Sequence, residues 1–136
     1  MTLVAPSGRS GSRLVTTVLA FGGLSMIGVG AWCRLDPSGF AHWADWPEHE
    51  HFLHDAGVFQ IGIGLIMICA LWWRDVVAVA LVGFVFTNAI HGLNHYLDRH
   101  DGGHPSDAVL FLTLAALGIA AMAVHLRRKR ANEQQT

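Results

Sequence analysis

Residues 91–104 read HGLNHYLDRHDGGH, which places four histidines and two aspartates within fourteen positions. A second group, EHEHFLHD at residues 48–55, brings three histidines, two glutamates and an aspartate. Imidazole and carboxylate groups bind transition metals and move protons near neutral pH. On a helix, at about 100° per residue, Glu48, His51, His54 and Asp55 share an arc of about 120°. Asn88, His91, Asn94, His95 and Asp98 fall within an arc of similar width. His91 and His95 are four residues apart, the spacing that lets two imidazoles of one helix reach one ion.

The preferred chemistry is metal binding. His51, His54, Asp55, His91 and His95 are the candidate ligands, with Glu48 and Asp98 as supporting groups. Nitrogen donors plus a carboxylate suit zinc, copper or iron. A water in an open position on the ion would be activated for hydrolysis. Asp55, His91 and Asp98 are the candidate catalytic groups, acting on an apolar or lipid substrate. Three alternatives remain open: proton transfer by a histidine–aspartate pair without metal, a haem or quinone-linked redox subunit with His54 and His91 as axial candidates, and a non-catalytic subunit of a membrane complex. In the last, the cluster is a polar network between helices. Whether the chain is an enzyme stays undecided at this level.

These groups must be positioned by something, and the composition names it. Hydrophobic residues make up 52% of the 136-residue chain and charged residues only 14%, against about 25% charged in soluble domains. Mean hydropathy is +0.39. Four apolar stretches, residues 14–32, 56–73, 76–96 and 108–126, each approach the ~20 residues that cross a bilayer. Net charge is −1, and no basic stripe or nucleic-acid motif is present, which excludes nucleic acid as a partner. The expected fold is all-α: a polytopic four-helix transmembrane bundle in the cell membrane. Residues 1–13 read as a flexible leader, 14–126 as the membrane domain and 127–136 as a basic tail.

Charge sets the expected orientation. Arg9, Arg13, Arg74, Arg127, Arg128, Lys129 and Arg130 all fall on one face of a four-span chain, and basic residues mark the cytoplasmic side. Both termini are therefore expected in the cytoplasm. The other face holds eight of the ten acidic residues and, near its boundary, Trp32, Trp43 and Trp46. Counted outward from Arg74 at 1.5 Å per residue, Asp55, His54, His51, His91 and His95 lie within roughly 9 Å of one level. The sequence thus predicts that the second and third spans bring their polar faces together just beneath the outer surface. Asp45 with Glu48 predicts a capping box that starts the second span near Trp46. Ser106 or Asp107 is expected to cap the fourth. Cys33 and Cys69 sit at opposite ends of their spans and are not expected to pair.

The layout resembles small bacterial four-helix membrane proteins of the DoxX-like type. The residues that carry the likeness are Asp36-Pro37 with Phe40, the stretch FLHDAGVFQIGIGL, and NAIHGLNHYLD. The resemblance implies a compact bundle and, in some members, association with quinone-linked oxidation. It supplies no site residues. A lipid bilayer is the implied surrounding, with an apolar substrate, a membrane-complex subunit or a second copy as candidate partners.

Overall fold

The computed structural model describes residues 8–100 and 102–135. Among these the chain is helical throughout, in five α-helices: α1 (Gly8–Leu35), α2 (Pro37–Ala44), α3 (Glu50–Cys69), α4 (Val77–Leu97) and α5 (Asp107–Glu133). A 3-10 turn, Arg74–Val76, leads into α4. Four segments are long and apolar enough to cross a membrane: Arg13–Leu35, Glu50–Cys69, Arg74–Leu97 and Asp107–Glu133. Their outward faces carry Phe21, Phe59, Val79, Phe86 and Val109, all strongly exposed. So much exposed apolar surface is anomalous in water and ordinary against lipid tails.

The ends of the helices depart from the expected boundaries. α1 already runs from Gly8, so the later part of the expected leader is helical; residues 1–7 lie outside the described residues. No proline interrupts the chain between Pro6 and Pro37, so nothing stops the helix from extending beyond its apolar core. At the other terminus α5 carries Arg127, Arg128, Lys129 and Arg130 in its last turns. These are good helix formers, and their charge suits the C-terminal end of the helix dipole.

The short helix α2 lies between the apolar stretches 14–32 and 56–73, outside every expected span. Asp36 caps it, its carboxylate accepting from the Gly39 amide at 3.0 Å, and Pro37 occupies the first turn. Both are standard start signals. Asp45 ends it in the left-handed conformation, at φ 52°. Trp32, Phe40 and Trp43 then pack into one aromatic cluster with ring centroids 5.3–5.9 Å apart. The expected capping box on α3 does not form. Glu48 instead accepts from the Ser38 hydroxyl, and α3 begins at Glu50 with no side-chain cap.

The long helices pack chiefly as two antiparallel pairs, α1 with α3 and α4 with α5. Glycine explains the first pair. A Cβ at Gly30 would stand 2.5 Å from the Gly57 carbonyl oxygen, and one at Gly64 would stand 2.6 Å from that of Gly23. Seven-residue spacing on both helices places these contacts on one seam. Close backbone approach through small residues is the usual glue between helices in a membrane, where apolar burial drives little association. In the second pair Gly92 meets Leu112, and Gly118 meets Val85 and Phe84. The contact between α3 and α4 is slight by comparison.

The apolar core gathers toward the Arg74 end. Leu19, Met67 and Leu81 are its fully buried side chains, and Ala70, Val77, Ala80 and Phe84 pack with them. The opposite half contains most of the histidines and carboxylates. Cys33 and Cys69 are both free.

Candidate functional site

α4 carries its chemistry where it meets α5. The His91 and His95 side chains project from successive turns, and their Nε2 atoms stand 3.1 Å apart. Phe111 of α5 lies flat against both rings, 4.0 Å from His91 and 5.3 Å from His95 between centroids. The three rings form one stack, which fixes the imidazole planes. On its other edge, His95 Nδ1 faces Asp107 Oδ2 at 3.7 Å, with both side chains largely buried. Asp107 occupies the first turn of α5, where a carboxylate also complements the helix dipole. Its Oδ2 accepts from the His104 amide at 2.8 Å.

The loops close over this group. Gly103 donates its amide to the Asp45 carbonyl at 2.9 Å, and Trp46 stands 6.3 Å from the His95 ring. His104 Nε2 lies 2.8 Å from the Trp43 carbonyl oxygen. A carbonyl only accepts, so this nitrogen carries the proton. Gly103 adopts φ +81°, and a Cβ there would come 3.2 Å from His95 Nδ1 and 3.3 Å from Asp107 Oδ2. Only glycine both takes this conformation easily and leaves room for the pair beneath it.

The structure divides the set expected from sequence. His91 and His95 come together; His51, His54 and Asp55 do not join them. No hydrogen bond, ion pair or ring contact links the two groups among the described residues. α3 gives its close-packing face to α1, and α4 gives its own to α5, so the hairpin of α3 and α4 is not the main interface. His51 pairs with Asp55 at 3.6 Å, but the two side chains are 93% and 61% exposed. His54 faces Glu50 at 3.9 Å. The polar stripe of α4 also separates. Asn88 is buried and donates to the Phe84 carbonyl of its own helix at 2.8 Å. Asn94 and Asp98 are exposed, Asp98 serving as the C-terminal cap of α4. Gln60 turns toward Gly30 of α1, its Oε1 buried and without a hydrogen-bond partner among the described residues.

Asp107, not Asp55 or Asp98, is the carboxylate beside the histidines. Sequence reading placed it only as a helix cap. The signal was available in part: a short connection from α4 to α5 makes an antiparallel hairpin, and the first turn of α5 must then lie level with the last turn of α4. Among the described residues no three His, Cys, Asp or Glu side chains gather into one metal-holding group. The arrangement offers two imidazole nitrogens, a carboxylate 3.7 Å from the far nitrogen of one of them, and an apolar wall.

Comparison with known proteins finds no matching family, no matching curated sequence and no matching solved structure.

Proposed function

We propose that this is a small integral membrane protein that binds a transition-metal ion between His91 and His95 at the extracytoplasmic end of α4, with both termini in the cytoplasm. One observation carries the reading: the two Nε2 atoms face each other at 3.1 Å while His95 Nδ1 faces a carboxylate. A tetrahedral ion with metal–nitrogen bonds of about 2.05 Å holds its ligand nitrogens about 3.3 Å apart. The observed spacing therefore needs little adjustment. A metal-bound histidine usually directs its second nitrogen to a carboxylate, which sets the tautomer and strengthens the donor. Asp107 stands where that partner belongs. With the proton of His95 on Nδ1, toward Asp107, its Nε2 carries the lone pair and accepts from His91 Nε2 until an ion takes that proton's place.

Two protein nitrogens leave coordination positions for water or a substrate. Zinc and copper fit such a donor set better than magnesium or calcium, which prefer oxygen. Water on the ion, held against the lipid-facing wall of Phe111, would serve hydrolysis of an apolar substrate. The test is elemental analysis and zinc titration of purified protein. Near-stoichiometric metal that is lost in both His91→Ala and His95→Ala supports the proposal. Absence of bound metal, or binding unchanged in both variants, overturns it.

A second reading, an accessory subunit in a membrane complex, draws on α5. Its spanning window is only 17% buried, the lowest of the four. Purification in mild detergent with a stable larger subunit, and no bound metal, would favour it.

A further inference from the structure

An open cleft of about 430 Å³ lies beside the loops that cover the histidines, lined by Ala41, His42, Asp45, Trp46, Pro47 and Gly102. It borders the histidine site without belonging to it. Trp46 is shared: one side of its indole lines the cleft, and its ring stands 6.3 Å from His95. Gly102, at φ +135°, lies so close that a Cβ there would be 3.1 Å from the Trp46 ring and 2.8 Å from the Asp45 carbonyl oxygen. Its neighbour Gly103 touches His95 and Asp107. Among the described residues, Trp46 and this two-glycine turn both adjoin the cleft and the site.

From this placement we infer that the cleft is the aqueous access route by which a hydrated divalent transition-metal cation reaches His91 and His95. This rests on the metal reading above. His42 and Asp45 are the two groups of the lining that ligate cations, and both are exposed to water. The Asp45 carboxylate at the cleft draws cations toward it, and the His42 imidazole offers a ligand nitrogen beside it. The approach from lipid is closed to a hydrated cation, because charge entering hydrocarbon is costly. Phe111 also covers the imidazoles along α5. The double glycine puts no side chain between the cleft and the histidines, and entry would require the exposed Trp46 indole to shift.

The experiment measures Zn²⁺ uptake by the full chain in detergent, mixed rapidly with zinc and a chromophoric chelator that reports free ion. The His42→Ala/Asp45→Asn protein is expected to load about tenfold more slowly, with zinc stoichiometry unchanged. Uptake by the native protein should also slow as salt rises, and the variant should lose most of that dependence. Asn tolerates the left-handed conformation of residue 45, so Asp45→Asn alone serves if the double variant fails to fold. His49→Ala, exposed and outside the cleft, should load at the native rate. An unchanged loading rate in the cleft variants overturns the access route and leaves the histidine site standing. If the native protein binds no zinc, or if His91→Ala/His95→Ala binds it equally well, both are overturned.

Discussion

Two helices carry a pair of ionisable side chains four residues apart, His51 with Asp55 on α3 and His91 with His95 on α4. On paper the pairs are equivalent. In the fold they are not: the first is 93% and 61% exposed, whereas His95 and its partner Asp107 are 17% and 20% exposed. The i,i+4 spacing brings side chains within reach of each other but says nothing about solvent. Exposed pairs of this kind are worth about 0–1 kcal/mol and are screened by salt. The α4 pair becomes a candidate site because α5 supplies what α4 lacks, namely Phe111 against both rings and the Asp107 carboxylate beside one imidazole. A neighbouring helix, more than local spacing, separates a solvated pair from a candidate centre.

The largest effect that would break this comparison is on metal affinity. His91→Ala or His95→Ala should weaken zinc binding by more than about 100-fold, the upper range for loss of a mere supporting group. His51→Ala should leave it unchanged; isothermal titration reads both. If His51→Ala weakened zinc as much as His91→Ala does, the division of the two pairs would be wrong. Asp107→Ala comes next, with an expected loss of about 10–100-fold at intact stoichiometry. Asp98→Ala, exposed and aimed elsewhere, serves as its control.

Packing offers the next contrast. Gly57→Val forces a side chain against the Gly30 carbonyl and should cost about 1–3 kcal/mol, seen as a lowered thermal midpoint in detergent. Gly62, which has open space around it, should accept valine without that loss. Cross-linking tests the pairing directly. In a chain lacking Cys33 and Cys69, cysteines at 92 and 112 should join under oxidation, because a Cβ at 92 would stand 2.9 Å from Leu112 Cγ, where a cysteine would carry its sulfur. Cysteines at 54 and 91 should not. The smallest expected effect is that of Gly103→Ala. It places a residue other than glycine at φ +81° and presses on His95 and Asp107, for a penalty of about 1–2 kcal/mol. Trp46 fluorescence would report the loosened loop.

Much of the fold is legible along the chain, and the reason is local. A membrane demands about 20 apolar residues in helical form, because backbone groups find no water there. Length and hydropathy read that demand one segment at a time, so the four spans appear in the sequence. The free cysteines follow from the same counting. Asp36 and Pro37 also announce a helix start at α2, but eight residues are too few for hydrophobic periodicity to register. At residues 45–48 the capping box was legible and wrong, because Ser38 of α2 took the Glu48 carboxylate away.

Depth along the spans placed His51, His54, Asp55, His91 and His95 at similar levels, which periodicity and rise per residue supply without knowledge of neighbours. Which of them meet is a different kind of question. It depends on the face each helix turns inward, and that is settled by contacts between segments far apart in sequence. Glycine seams at 23 with 64 and 30 with 57 drew α3 to α1, and Gly92 and Gly118 let α4 settle against α5. Those matches of shape across helices left His51 and Asp55 of α3 exposed, kept His54 apart from α4, enclosed α4's pair against Phe111, and made Asp107 the neighbour of His95. Hydrophobicity is a property of each stretch alone; complementarity belongs to pairs of stretches, and only folding brings the pairs together.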